Sequence, residues 1–137
     1  MIEFSSQNDF VLDDEERVEK WLKGIALKES YGIDSLSYVF CSDDFLLDIN
    51  KRFLDHDTLT DIVTFDYTEN KILNGEIYIS TDRVADNAEQ FKVSFNTELL
   101  RVISHGLLHM CGYGDKTEEE KKKMRAMEDE CLILWNV

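Results

Sequence analysis

The stretch NTELLRVISHGLLHMCG, residues 96–112, is apolar on nearly every side of a helical projection, and this constrains the fold more than any other feature. A helix of that kind belongs in the middle of a domain, enclosed by other elements. Asn96 is its expected N-cap, and Gly112 is expected to let the chain turn away at its end. At 137 residues with 43% hydrophobic content, the chain is long enough to build one core around such a helix. Proline is absent, no Gly/Ser-rich linker interrupts the sequence and no segment repeats, so a single domain over residues 1–137 is expected.

The flanking sequence supplies the enclosure. Residues 1–5 read as a short edge strand. LDDEERVEKWLKGIALKESYG is amphipathic, with Val18, Trp21, Leu22, Ile25 and Ala26 on one face. Asp13 with Glu16 resembles a capping pair, and Gly32 suits the stop. SLSYVFC (35–41) alternates Leu36, Tyr38 and Phe40 on one side, a strand signal. Ser42 caps a second helix carrying Leu46, Leu47, Ile49, Asn50 and Phe53. DIVTFDY (61–67) and GEIYIS (75–80) are rich in β-branched and aromatic residues and read as neighbouring strands joined by a hairpin-like loop. Asp82 opens a helix with Val84, Ala85, Ala88 and Phe91 inward. The last helix begins at Thr117, with Glu120 in capping-box register, and buries Met124, Met127, Cys131 and Leu134. The sum is an α/β (α+β) domain, a single small mixed sheet of about four strands packed with about five helices, any metal site lying on the central buried helix.

Charge narrows the functional classes. A net charge of −14 makes a poor generic nucleic-acid binder, because phosphate neutralisation supplies much of such affinity. A nucleic-acid role therefore needs a local basic patch, a bound cation or a partner protein. The candidates for a patch are Lys51 and Arg52, Arg83, Lys92, Arg101, and Lys121 to Lys123 with Arg125. Cys41, Cys111 and Cys131 form no CxxC pair and read as buried reduced thiols, which suits a cytoplasmic protein. No segment approaches the ~18 apolar residues of a membrane span, and MIEFSSQNDF lacks the basic region and apolar run of a secretory signal, so no membrane association is expected.

Within the central helix, His105 and His109 are four residues apart and project from one face, so both imidazoles can reach one ion. The turn at Gly112 lets a third ligand return from beyond the helix while a position stays open for water, the layout of a catalytic metal site. A zincin peptidase would place glutamate at position 106 as general base, and here that residue is Gly106.

These residues together resemble the YbeY family of bacterial endoribonucleases, whose signature reads H-G-x-L-H-L-x-G-Y-D-H. His105, Gly106, Leu108, His109, Gly112 and Tyr113 match it, with Met110 in place of leucine. INKRFLDHDTLTDIVTFDY is similar to the family segment L-N-x-x-Y-R-x-x-D-x-P-T-D-V-L-S-F, retaining Asn50, Asp57, Thr60, Asp61 and Phe65. GEIYIS resembles its strand G-D-I-x-I-S, and Glu98 falls at the family's acidic position early in the histidine helix. The resemblance implies a metal held by three histidines, usually zinc. Without gaps the third histidine falls on Asp115, giving a His105, His109, Asp115 site. A carboxylate third ligand admits Mn2+ or Fe2+ beside Zn2+. If Gly114 is instead an insertion, the ligand position is Lys116, whose ammonium cannot coordinate a cation; we favour the ungapped reading. A second departure is Leu54, which stands where the family has an arginine; Lys51 and Arg52 are the nearby cations.

What the resemblance implies is a metal-dependent endoribonuclease specific for single strands, acting in small-subunit ribosomal RNA 3′-end maturation and ribosome quality control. Its partners would be single-stranded rRNA and the small subunit or its proteins. Asp61 and Glu98 are candidates for positioning, base catalysis or RNA contact, and Tyr67 and Tyr113 are candidates for base stacking. His56 reads as an exposed loop residue. Two alternatives remain open: a non-catalytic ribosome-assembly factor that kept the fold, and a metallohydrolase of another substrate.

Overall fold

A computed structural model describes residues 1–54 and 60–137, so His56 and Asp57 lie outside the described residues. The elements run β1 (Ile2–Ser6), α1 (Glu15–Lys28), β2 (Gly32–Cys41), α2 (Asp43–Phe53), β3 (Ile62–Asp66), β4 (Ile72–Ser80), α3 (Thr81–Phe91), α4 (Phe95–Met110) and α5 (Glu118–Trp135). The sheet order is β1-β2-β4-β3. β1 and β2 are parallel, as are β2 and β4, while β3 returns antiparallel to β4. The expected mixed sheet, with β1 at its edge and β3 beside β4, is what forms.

The alternation in β2 does the sorting. Leu36, Tyr38 and Phe40 are fully buried with Leu73, Ile77 and Ile79 of β4 in the main core. Cys41, Leu46, Ile49 and Val63 make a smaller cluster in which α2 packs on the other side of the sheet. α4 lies against the sheet and against α1, α3 and α5. Ten of its residues are buried, among them Leu99, Ile103, Leu107 and Leu108. Each such side chain contributes about 1.5–3 kcal/mol by leaving water. The hydroxyl of the buried Tyr38 donates to the Ile103 carbonyl at 3.0 Å, tying sheet to helix. Gly106 sets how close they come: a Cβ there would stand 3.0 Å from Ile62 Cδ1 and 3.1 Å from Ile77.

Several expected boundaries move. α4 is capped by Ser94, whose hydroxyl accepts from Thr97 N, and not by Asn96. Phe95 joins the helix because its ring packs on Phe10, centroids 5.9 Å apart. α3 is capped by Ser80 rather than opened at Asp82, whose carboxylate instead accepts from the Asp43 amide at the start of α2. Asp14, not Asp13, caps α1, and the left-handed residue after that helix is Ser30, leaving Gly32 to begin β2. Ala85 and Phe91 are exposed instead of inward, and Leu134 is exposed because Trp135 takes the packing position against Trp21. Gly112, at φ 101°, and the Thr117–Glu120 capping box are as expected. No described helix is long and apolar enough to cross a membrane.

Candidate active site

Glu98, Arg101, His105 and His109 are spaced three, four and four along α4, so they share one stripe of the helix. The stripe does not meet the sheet. Glu98, Arg101 and His105 form the floor of a cleft of about 560 Å³. Asp61 at the entrance to β3 and Asn87 and Phe91 of α3 line it too, with Asp115, Lys121, Arg125 and Glu128 supplied by the α4–α5 turn and α5. His109 sits a turn beyond His105, exposed and outside this lining.

His105 is fixed from two sides. Its Nδ1 donates to Glu128 Oε2 at 2.8 Å, and its Nε2 stands 3.2 Å from Asp115 Oδ2. Glu128 is itself buried and also accepts from Arg101 Nη1 at 3.1 Å, with Asp129 on that same nitrogen at 3.2 Å. His109 is held by the turn that Gly112 permits: its Nδ1 donates to the Tyr113 carbonyl at 3.1 Å. The turn is anchored in turn by the Tyr113 hydroxyl, which donates to Glu29 at 2.7 Å.

Both imidazoles therefore donate Nδ1–H to an acceptor and present Nε2, the orientation that such an acceptor behind the ring imposes on metal-binding histidines. The 3.2 Å between His105 Nε2 and Asp115 Oδ2 matches the edge of about 3.3 Å between two ligands of a tetrahedral ion with bonds of about 2.0–2.1 Å. The His105 and His109 rings are nearly parallel, at 5°, with centroids 6.4 Å apart. Among the described residues no three His, Cys, Asp or Glu side chains stand close enough to hold an ion in this arrangement. His105 and Asp115 are brought together; His109 is oriented but stands apart.

The electrostatics of the cleft favour a positive guest at this point. Burial disfavours protonated His105, yet the hydrogen bond and charge of Glu128, with Asp115 and Asp61, outweigh it and raise its pKa. Burial likewise pushes the Asp61 carboxyl upward, against the opposing pull of His105. Burial raises Glu98 as well, Arg101 countering it. Glu98 Oε1 is buried with no hydrogen-bond partner, its nearest compensation being Arg101 Nε at 3.8 Å. A divalent cation on Nε2 and Asp115 would meet the same negative surroundings. The donor set, imidazole and carboxylate, fits such an ion.

Other expected residues fall elsewhere. Lys51 and Arg52 are exposed on the last turn of α2 and are not among the residues lining the cleft; Arg52 pairs with Asp48 at 3.0 Å. Arg83 is engaged by Asp43 and Asp86. Of the candidate basic residues, Arg101, Lys121 and Arg125 reach the cleft. Lys116 spends its amide on Glu120 in the capping of α5. Tyr67 is exposed at the end of β3, away from the cleft lining. Sequence reasoning passed over Glu128, although its spacing betrays it: Met124, Glu128 and Cys131 follow one another on the buried stripe of α5.

Fold and site first define a class, a small mixed α/β domain whose central helix presents His105 to an open cleft walled by carboxylates. The family model described as Endoribonuclease YbeY matches residues 2–136, and the chain belongs to that family. It is 44% identical over 137 residues to the Endoribonuclease YbeY of Flavobacterium johnsoniae, covering 100% of this chain and 99% of that one. With the Endoribonuclease YbeY of Cytophaga hutchinsonii it shares 49% over 132 residues, 96% and 92% of the two chains. The solution structure of TM1509 from Thermotoga maritima superposes with a TM-score of 0.68 at 27% identity, covering 99% of this chain and 92% of that one.

Proposed function

We propose that this chain is a metal-dependent endoribonuclease that cuts single-stranded RNA in the cytoplasm, acting in maturation of small-subunit ribosomal RNA and in ribosome quality control. The observation that carries the reading is local: His105 is clamped through Nδ1 by buried Glu128 so that Nε2 and Asp115 Oδ2 converge to 3.2 Å in an open cleft. Membership of a family whose relatives bear the name endoribonuclease supplies the substrate class.

In this reading His105, His109 and Asp115 hold the ion, Zn2+ by preference, with Mn2+ or Fe2+ admitted by the carboxylate. When bound, a divalent cation supplies Lewis acidity, which lowers the pKa of water and offsets charge developing on a phosphoryl oxygen. The chain's own residues do the rest. Glu128 and the Tyr113 carbonyl keep both imidazoles in the ligating tautomer. Arg101, anchored by Glu128 and Asp129, holds positive charge beside the phosphodiester. Lys121 and Arg125, both about half exposed, give the backbone a cationic rim that the net charge of the chain would not provide.

Elemental analysis of purified protein, with Asp115→Ala and His109→Ala alongside, tests the site. About one transition metal per wild-type chain, lost in both variants together with cleavage of single-stranded RNA, is the expected result. Metal retained in Asp115→Ala but lost in His109→Ala would transfer the third position to another residue. Wild-type protein that takes up neither zinc nor manganese would overturn the hydrolytic reading. It would favour the assembly-factor reading, for which Leu54 in place of the family's arginine already speaks.

A further inference from the structure

The ring of Phe91 is out of place by the rule that built the rest of its helix. Val84 and Ala88 are buried, and Phe91 continues their stripe at the next turn, yet it is 51% exposed. The reason is local: α3 stops there, Lys92 takes a left-handed conformation at φ 58°, and the chain turns toward α4 before the ring is covered. It is thereby left lining the same cleft as His105 and Asp115. Lys121 and Arg125, four residues apart on α5, present their charges into that cleft from another wall. Lys121 is held only loosely by Glu118 at 3.8 Å, both side chains being largely exposed.

A flat apolar ring and two exposed cations around one cleft are the two halves of a single-strand subsite, since every base has a face that stacks and every nucleotide a phosphate. We infer that Phe91 is the stacking platform for an unpaired nucleobase of the substrate, with Lys121 and Arg125 contacting the phosphates that flank it. This rests on the RNA-cleaving reading above and deepens it. Preference for single strands then has a physical origin in this chain, because a base already stacked in a duplex cannot turn onto the ring. The chemistry asks for a base and a phosphate, with no demand on which base.

The test uses full-length protein as purified and a nuclease-resistant 2′-O-methyl oligoadenylate carrying 2-aminopurine, read by anisotropy and by quenching of the aminopurine. A second oligonucleotide has the same backbone with abasic positions. Phe91→Leu keeps the apolar bulk and removes the aromatic face, and is expected to weaken binding of the base-bearing strand by about 5- to 150-fold and to abolish quenching. Binding of the abasic strand is expected to stay at the wild-type level, and Phe91→Trp to restore the base-bearing interaction. Lys121→Gln should lower the slope of log affinity against log salt by roughly 0.7, one phosphate contact. Equal affinity of Phe91→Leu and wild type for the base-bearing strand, or equal loss on both strands, would overturn the platform. If wild-type protein still cleaves RNA in that case, only the subsite falls and the nuclease reading stands. If wild-type protein binds neither strand, the subsite is overturned, and absence of RNA cleavage in the same preparation would take the nuclease reading with it.

Discussion

Replacing Glu128 separates the architecture of the site from its chemistry. The residue is 5% exposed, and its carboxylate accepts from His105 Nδ1 at 2.8 Å and Arg101 Nη1 at 3.1 Å. Glu128→Ala removes both bonds and leaves a partly buried imidazole N–H without its acceptor. Each hydrogen bond to a charged group is worth about 1.5–3 kcal/mol, and breaking a buried pair costs about 3–5 kcal/mol. Arg101 keeps Asp129 at 3.2 Å and Glu98 at 3.8 Å, so the upper end is not reached. A loss of about 2–4 kcal/mol is expected, which for a domain of this size lowers Tm by roughly 8–16 °C. Glu128→Gln should fall between the two, because its one carbonyl can serve His105 or Arg101 while its NH2 must face the other donor. With His105 released, zinc affinity measured by chelator competition should weaken by about 10- to 100-fold in Glu128→Ala. A Glu128→Ala protein melting within about 2 °C of wild type, with unchanged zinc affinity, would refute the clamp.

Three further perturbations probe the frame around the site. Gly106→Ala gains up to about 1 kcal/mol of helix propensity but drives a methyl to 3.0 Å from Ile62 and 3.1 Å from Ile77. Overpacking of about 1–3 kcal/mol wins, so urea unfolding should find the variant less stable; a more stable one would mean that α4 does not sit this close to the sheet. Tyr38→Phe leaves the Ile103 carbonyl without its 3.0 Å donor and should cost about 0.5–1.5 kcal/mol in the same assay, with the fold unchanged by circular dichroism. Burial pushes the Cys41 and Cys131 thiols up to about 12, so at pH 8 only about one part in ten thousand of either is thiolate. In a Cys111→Ser protein, Ellman's reagent should therefore find two thiols promptly in denaturant and almost none in the native state. Prompt reaction without denaturant would contradict the burial of both.

The parts of the fold that the sequence revealed were those in which many residues repeat one message. Leu36, Tyr38 and Phe40 alternate, and the helix through His105 is apolar all round; both patterns survive the loss of any single residue. Boundaries depend on one residue each and were decided elsewhere. Ser94 and Asn96 are both good caps, and the choice between them fell to the contact of Phe95 with Phe10, which is separated by most of the chain. Leu134 fits the buried stripe of α5, but Trp135 has the larger apolar surface and Trp21 and Arg17 to meet it. In the site, the spacing of His105 and His109 was legible because helical geometry is fixed. The approach of Asp115 to His105 depends on the Gly112 turn and the Thr117 cap acting together, so spacing alone left Lys116 as a rival. Glu128 stood in plain view as a carboxylate on an apolar stripe, a signal readable only once a buried partner is sought for it.

The same residues answer how a chain of net charge −14 is to hold a polyanion. Average charge is the wrong quantity at the scale of a cleft, since a Debye length of about 8 Å hides most of the distant surface at physiological salt. What matters is how the local carboxylates are occupied. Glu128 is bound to His105 and Arg101, so its charge is spent inside the protein. Burial raises Asp61 and Glu98, which lowers the cost of leaving them near a phosphate if either takes up a proton. Asp115 is the half-exposed carboxylate facing His105 Nε2, and it is the one a divalent ion would neutralise. On the rim Lys121 and Arg125 are each only weakly engaged, at 3.8 Å and 3.7 Å from an acid. With the ion in place the cleft is locally cationic although the molecule is not. Metal loading should therefore strengthen RNA binding as well as permit cleavage. That coupling is measurable: the nuclease-resistant strand should bind more tightly when zinc is supplied to wild-type protein, and no more tightly when it is supplied to Asp115→Ala. Equal enhancement in both would mean that the cation acts by bridging phosphates to the general acidic surface, with no local reversal of charge.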